Sequence, residues 1–331
     1  MLKADRLLGL ALAVMLVTAL SVSACAPQQP VQQSELRIGY IATQSCLPYL
    51  VIQEKGLDKK YGIHLMGTQY PSGEALNSDL ASGKIDAGIT GTVSVINAAE
   101  TGLIPDTMIP VAACNFVDQD NPYMAILASN SINSWQDLKG KPIATNAFFS
   151  PTTAAIKGRM QIEGVTDYKL VIMSLANMGL AVAGETISAA ALVEPYLTQS
   201  LMRKDGKLLG WVGGGPPFEK MEVTMLVFNS SYYRANPKAA KAFMGAFLDA
   251  LEIIHKEPGE ARLMLGRKLN LSGDVTQKMW MIAFSPDGRN DASILESMQI
   301  VMINAGMLKA LIPANKLYDE TLLNEVLSER K

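Results

Sequence analysis

The chain has few of the residue types on which enzymes and metal sites depend. Its 331 residues include two histidines and three cysteines. His64 falls within a predicted strand and His255 at the end of a predicted long helix, so neither is placed to serve a cleft. No cluster of His, Cys, Asp and Glu has metal-ligand spacing, and the sequence contains neither a GxSxG motif nor a phosphate loop. The sequence therefore predicts a protein that is not an enzyme and that needs no metal and no cofactor.

Charge of one sign and long apolar runs are also scarce. The 29 Lys and Arg residues nearly balance the 31 Asp and Glu residues, which gives a formal net charge of −2. Because there is no basic field, nucleic acid is not expected as a partner. The apolar run from Leu7 to Leu20 has fourteen residues, which is too short for a stable membrane-spanning helix.

The N-terminal segment has the composition of a signal peptide. Lys3 and Arg6 precede the apolar run, and small residues follow it up to Cys25. The sequence VSAC at residues 22–25 resembles a bacterial lipobox. We therefore expect residues 1–24 to be removed and Cys25 to carry a lipid that anchors the protein to a bacterial membrane, on its periplasmic or extracellular face. The alternative is a secretory signal cut near an Ala-x-Ala-like site. The Gln/Pro-rich residues 25–35 would form a tether.

The remainder of the chain alternates between predicted strands and helices. About 300 residues remain, which is enough for two domains with separate cores. The first unit is a strand at residues 36–41, a polar loop at 43–46, and a helix that starts at Leu47 and stops at Gly56. Repeated units of this kind predict an α/β fold. Ligands of such folds bind beyond the carboxyl ends of the strands.

Two apolar segments, residues 123–128 and 224–228, are expected to carry the chain between the domains. They predict a first domain made of residues 36–122 and 224–331, which includes extra C-terminal helices, and a second domain of residues 123–223. A hinge of two strands lets two such domains close around a ligand.

Cys46 and Cys114 each follow a predicted strand of the first domain. Outside the cytoplasm they can form one disulfide, or they can remain two half-buried free thiols. The sequence does not decide between these alternatives.

The loops after the predicted strands supply hydroxyl, amide and aromatic side chains. Hydroxyls near helix N-termini lie where unpaired N–H groups and the helix dipole favour a ligand acceptor, although any one of them can simply cap its helix. No Lys or Arg occurs in these loops, which counts against phosphates and dicarboxylates. The candidate ligand-binding residues are Gln44, Ser45, Tyr49, Ser72, Gly73, Thr90, Thr92, Asn115, Asn146, Phe148, Phe149, Ser150, Thr152, Thr153, Glu194 and Tyr196.

Residues 146–153 are expected to form the second-domain wall of the cleft and to contribute most to ligand choice. Ser150 and Pro151 would start a helix whose first N–H groups meet a ligand acceptor, and Phe148 or Phe149 would stack on a flat ligand.

Glu194 is the acidic residue of another loop of the predicted second domain, directly before Pro195 and Tyr196. We expect its carboxylate to pair with an amine or accept from an N–H group of the ligand. The alternative is a surface carboxylate.

Three stretches resemble one known family. Residues 36–64 give a strand ending in Gly-Tyr, a polar loop and a helix that runs into Glu-Lys-Gly-Leu. Residues 80–88 (LASGKIDAG) and 135–144 (WQDLKGKPIA) are the other two stretches. Together they resemble the SsuA/NMT1-like solute-binding proteins, which serve importers of nitrate, sulfonates, taurine and thiamine precursors. The likeness spans roughly residues 36 to 260, and its motifs are structural.

The resemblance implies a type II periplasmic-binding-protein fold with two doubly wound α/β domains. It also implies a monomeric solute-binding protein that delivers a small organic molecule, sulfonate-like or heteroaromatic, to the permease subunits of an ABC importer. The alternatives are an enzyme on the same fold, of the pyrimidine-precursor or menaquinone-pathway type, or a ligand sensor. The predicted signal sequence favours the binding protein, because those enzymes work in the cytoplasm.

Overall fold

Two separate β-sheets organise residues 34–330, which are the residues that the computed structural model describes. The strands are β1 Ser34–Tyr40, β2 Ile63–Gln69, β3 Ala87–Gly91, β4 Met108–Val117, β5 Met124–Ala128, β6 Pro142–Thr145, β7 Lys169–Ile172, β8 Ala189–Val193, β9 Lys207–Gly213, β10 Met221–Asn229 and β11 Ala283–Phe284. The first sheet has the strand order β11-β4-β10-β3-β1-β2, and the second has the order β7-β6-β8-β5-β9.

Helices follow most of these strands. The helices are α1 Leu47–Glu54, α2 Leu57–Lys60, α3 Gly73–Ala81, α4 Thr92–Glu100, α5 Pro151–Ile162, α6 Leu175–Ala183, α7 Tyr196–Arg203, α8 Ser230–Ala235, α9 Pro237–Lys256, α10 Pro258–Lys268, α11 Gly273–Lys278, α12 Ala292–Asn304 and α13 Thr321–Glu329. Short 3-10 helices lie at Gln44–Cys46, Gln136–Leu138 and Ala314–Lys316. The long helix α9 packs against α1 and α13.

Strand directions show how the chain passes between the sheets. Pairing is parallel between β1 and its neighbours β2 and β3, and between β6 and its neighbours β7 and β8. By contrast, β10 is antiparallel to β3 and β4, and β5 is antiparallel to β8 and β9. The chain leaves the first sheet after β4 and returns to it with β10. This arrangement confirms the predicted α/β fold with two domains, a two-strand hinge and added C-terminal helices.

The two domains are named here after their sheets, so that the first domain is built on the first sheet and the second domain on the second. The predicted domain boundaries, at residues 36–122 with 224–331 and at 123–223, stay a prediction. All five residues of β5 and all five of β8 are buried, because helices cover both faces of the second sheet. Such strands therefore read as continuous apolar runs in the sequence.

Cys46 and Cys114 are both free thiols, and both are buried. Of the two alternatives that the sequence left open, the structure shows the one without a disulfide. Burial raises the pKa of the Cys46 thiol to about 12 and raises that of Cys114 as well. Neither thiol is therefore a ready nucleophile at neutral pH.

The predicted signal peptide and Cys25 lie outside the described residues, as does most of the tether at residues 25–35. Within residues 34–330, no helix is both long enough and apolar enough to span a membrane.

Candidate functional site

A cavity of about 50 Å³ lies between the two domains, at the carboxyl ends of β1, β3, β6 and β8. This is the edge at which the sequence predicts a ligand, and the volume corresponds to about three to five water molecules. Among the described residues, none of the lining side chains carries a charge. The lining residues are Ile41, Thr43, Ser45, Gly73, Gly91, Ser94, Tyr123, Asn146, Ser150, Pro151, Thr152, Leu175, Val193, Val223 and Thr224.

Eight buried side-chain polar atoms within residues 34–330 have no hydrogen-bond partner, and four of them belong to first-domain residues near the cavity. These four are Ser45 Oγ, Thr90 Oγ1, Thr92 Oγ1 and Asn115 Nδ2, and their side chains are at most 3% exposed. We call them the unsatisfied set. Leaving such a group unpaired costs about 1 to 3 kcal/mol, and native proteins rarely tolerate several together. Each of these groups is therefore free to make a further hydrogen bond.

Three members of the unsatisfied set lie on or directly behind the cavity wall, and the fourth, Thr92, directly follows the lining residue Gly91. Ser45 itself lines the cavity. Thr90 Oγ1 would lie 2.9 Å from a Cβ atom built on Gly73, which also lines it. Asn115 Oδ1 accepts a 3.1 Å hydrogen bond from the hydroxyl of Thr224, another lining residue, so only the donating end of the Asn115 amide is unpaired.

The start of α4 adds further donors to this wall. Gly91 precedes the helix and provides no side-chain cap, and both Gly91 and Ser94 line the cavity. The first N–H groups of α4 are therefore not capped by a side chain, and the positive end of its dipole lies beside the cavity. Ser72, by contrast, caps α3 by accepting from the N–H of Ala75 at 3.3 Å.

The hydroxyl groups of the second domain are satisfied by one another. Thr152 Oγ1 lies 2.7 Å from Thr145 Oγ1 and donates to Asn146 Oδ1 at 2.7 Å. Thr153 Oγ1 lies 2.7 Å from the same Thr145 oxygen. Ser150 caps α5 by accepting from the Thr153 N–H at 3.2 Å, as the Ser-Pro sequence predicts. These side chains form one connected cluster that makes this wall rigid. Their hydrogen bonds are made within the second domain.

The two adjacent phenylalanines do not line the cavity. Phe148 is 62% exposed, and Phe149 is half-buried against the core. The aromatic ring in the cavity lining is that of Tyr123, which is 2% exposed. Sequence reasoning assigned Tyr123 only to the crossing segment and so missed it.

Gln44 and Tyr49 also lie away from the cavity lining. The Gln44 amide donates to the carbonyl of Trp280 at 2.6 Å and accepts from the N–H of Ile282 at 2.9 Å, which fixes the C-terminal segment to the first domain. Tyr49 stacks on Tyr40 with ring centroids 4.7 Å apart.

Glu194 is fully buried, so it is not a surface carboxylate. Its two oxygens accept from Thr198, one from the N–H at 3.2 Å and one from the hydroxyl at 2.8 Å. Burial raises the pKa of Glu194 to about 7, against the opposing effect of the Thr198 hydrogen bonds. The neighbouring residue Val193 lines the cavity, but Glu194 does not. Tyr196 donates from its hydroxyl to the carbonyl of Ala42 in the first domain, at 3.1 Å.

The sequence model of the family described as NMT1/THI5 like matches residues 43–261. This range contains both walls of the cavity and most of both sheets. The chain belongs to the NMT1/THI5-like family. This match confirms the resemblance noted in the sequence. A separate comparison with curated protein sequences found no match.

Solved structures show the fold of this NMT1/THI5-like protein independently. The alkanesulfonate-binding protein SsuA from Xanthomonas axonopodis pv. citri bound to MOPS is 19% identical, with a TM-score of 0.69 over 92% of this chain and 99% of that chain. The periplasmic nitrate-binding protein NrtA from Synechocystis PCC 6803 is 16% identical, with a TM-score of 0.73 over 89% of each chain. The ligand-binding component of an ABC-type import system from Staphylococcus aureus, with zinc bound, is 16% identical, with a TM-score of 0.73 over 89% of this chain and 99% of that chain. These likenesses confirm the periplasmic-binding-protein type of fold.

Several lining residues were not among the candidates drawn from the sequence. Ser94 lies in the first turn of a predicted helix, so its position in the sequence could have indicated that it lines the cavity. Leu175 and Val223 are apolar residues whose sequence neighbourhood gives no indication of a site. They reach the cavity only because the two domains meet there.

Proposed function

We propose that this NMT1/THI5-like protein is a lipid-anchored solute-binding protein that captures a small organic molecule for the permease subunits of an ABC importer. The observation that carries the proposal is the cavity between the domains, with three members of the unsatisfied set of the first domain on or behind its wall. Groups that stay unpaired in the folded chain are suited to a ligand that is bound and released. Neighbours of the same fold that bind sulfonate or nitrate support this role.

The character of the cavity wall favours a small sulfonate-like solute. Asn115 Nδ2 can only donate, and the uncapped start of α4 also offers donors, so a ligand with several acceptor oxygens fits this wall. None of the described lining residues is Lys or Arg, which argues against phosphates and dicarboxylates. One aromatic ring, that of Tyr123, lies in the lining, so a stacked heteroaromatic solute has less support.

An enzyme on the same fold is the competing proposal. Among the described residues, the lining supplies hydroxyl groups but no carboxylate, imidazole or thiol that could act as a general base. This composition supports binding over catalysis.

A thermal-shift screen tests the function. The purified protein would be titrated with taurine, methanesulfonate, nitrate and a pyrimidine base, with glycerol as a control solute. A ligand present at one hundred times its dissociation constant adds about 2.7 kcal/mol to the free energy of unfolding. We expect the sulfonates to raise the melting temperature most. If neither taurine nor methanesulfonate raises it above the glycerol control, the proposed ligand class is wrong.

The proposed anchor is tested separately in cells. Cys25→Ser should move the protein from the membrane fraction to the soluble fraction, because the lipid attachment site is lost. A variant that still fractionates with membranes after a high-salt wash would contradict the proposed lipid anchor. This result would not bear on the proposed binding function.

A further inference from the structure

The loop before α5 contacts the first domain through the main chain of one residue, Phe149. The N–H of Phe149 donates to the carboxylate of Glu74, in the first turn of α3. The carbonyl of Phe149 accepts from the hydroxyl of Ser94, in α4, at 2.6 Å. Both polar groups of one second-domain residue are therefore held by two helices of the first domain.

The approach of the two domains at this point is close. A Cβ atom built on Gly91 would lie 3.1 Å from Cδ of Pro151, which is close to the limit for such contacts. The loop that carries Phe149 is stiffened from behind by the satisfied cluster around Thr145 and Thr152. Because the loop cannot easily deform, breaking its contacts with the first domain requires the domains to move apart.

We propose that Glu74 and Ser94 act through the main-chain N–H and carbonyl of Phe149 as a latch that biases the two domains towards the closed form. Glu74 does not line the cavity, so its part is that of a positioning residue and not of a ligand contact. In a solute-binding protein, and resting on the function proposed above, such a bias would lower the rate at which a captured solute escapes.

The sequence analysis expects an aromatic ring of residues 146–153 to contact the ligand, whereas the latch uses the main chain of this loop. The main chain of Phe149 makes the contact between the domains, and its side chain serves to bury apolar surface beside it.

Small-angle X-ray scattering on the full chain without added solute tests the latch. Glu74→Ala removes the acceptor, and Glu74→Gln keeps a carbonyl oxygen in the same place. Both variants lose the negative charge at the start of α3, so the difference between them reports the hydrogen bond alone. Ser78→Ala, at an exposed position on the same helix, is the matched control. Melting temperatures are measured in parallel.

We expect Glu74→Ala to have a larger radius of gyration than the parent protein, while Glu74→Gln and Ser78→Ala keep the parent value. The melting temperatures of the alanine and glutamine variants should be similar, because the latch acts between domains and not within one core. Should Glu74→Ala fail to fold, Ser94→Ala removes the second hydrogen bond and is expected to give the same expansion.

An unchanged radius of gyration in the folded alanine variants would overturn the latch, as would equal expansion in Glu74→Ala and Glu74→Gln. No solute is needed for either outcome. The result is thus independent of whether the thermal-shift screen identifies a ligand.

Discussion

Hydroxyl side chains at similar sequence positions differ in their hydrogen bonding between the two domains. Thr90 and Thr92 in the first domain stay unpaired, whereas Thr152 and Thr153 in the second are bonded to their neighbours. The sequence places all four near helix N-termini and predicts ligand contacts for each. It could not separate them, because the partners of Thr152 include Thr145, which belongs to the preceding strand.

Replacing Thr90 by Val separates a ligand contact from a structural one. Because the Thr90 hydroxyl is buried and unpaired, its removal should leave the free protein as stable or about 1 kcal/mol more stable, while solute binding weakens by about 0.5 to 1.5 kcal/mol. Thr152→Val is the matched comparison. It breaks bonds to Thr145 and Asn146 and should cost about 1 to 3 kcal/mol of stability. Chemical denaturation and titration calorimetry measure the two quantities, and a loss of stability in Thr90→Val would show that its hydroxyl has a structural partner.

Glu194 makes the stability of the protein depend on pH. Its ordinary pKa of 4.5 rises to about 7 in the folded chain, so the folded state binds more protons between these values than the unfolded state does. The free energy of unfolding should therefore fall as the pH rises from about 4.5 to about 7, by about 3 kcal/mol in total. Above about pH 7, Glu194 should contribute no further decrease.

Glu194→Gln should remove that part of the pH dependence, because a neutral side chain of the same shape does not titrate. Urea unfolding at pH 5, 6, 7 and 8 measures the slope for both proteins. Glu222 is also fully buried, and burial raises its pKa well above its ordinary value, so some slope should remain in the variant. Equal slopes in the two proteins would show that Glu194 keeps its ordinary pKa.

At the scale of elements, local sequence patterns predict most of the fold. The first strand and helix, expected at residues 36–41 and from Leu47 to before Gly56, are observed as β1 and α1. One helix of the second domain, α6, was not anticipated. Helix α6 is mostly apolar, and its N-cap residue Ser174 makes no side-chain capping hydrogen bond. A serine at this position is nevertheless a usual start signal, so the sequence did indicate this helix.

The turn between β9 and β10 requires glycine at position 214. Gly214 has a φ of +89°, and an added Cβ would lie 2.5 Å from the carbonyl oxygen of Asp118 and 2.7 Å from Cα of Pro122. Both contacts are to the main chain of the connection between β4 and β5, so neither can relax cheaply. We expect Gly214→Ala to cost more than about 1 kcal/mol of stability. Gly273→Ala, where nothing lies within 4 Å, should not destabilise, and equal melting temperatures for the two variants would contradict this account of the turn.

At the scale of the whole molecule, the site depends on contacts that no local pattern predicts. Residues from both domains line the cavity, and the main chain of Phe149 meets Glu74 and Ser94 from the other domain. The sequence gives the strand ends and hence the edge at which a ligand binds. It does not give the distance between the domains, and it did not indicate that the ring of Phe148 is exposed to solvent.

A tryptophan pair should report closure of the two domains in solution. Trp211 in β9 and Trp280 are edge to face with ring centroids 5.0 Å apart, and Trp280 belongs to the segment that Gln44 fixes to the first domain. Since Trp280 is 39% exposed, separating the pair would leave its ring more exposed to water. A solute that closes the molecules still in the open form should therefore change the intrinsic fluorescence.

The chain has three tryptophans, so the source of the signal can be assigned. The third, Trp135, packs under Arg159 within the second domain, with the guanidinium carbon 4.3 Å from the ring centroid. We expect Trp135→Phe to keep the fluorescence change on adding a solute found in the screen, and Trp280→Phe to lose it. If Trp280→Phe keeps the full change and Trp135→Phe loses it, the solute acts within the second domain and not through the approach of the two domains.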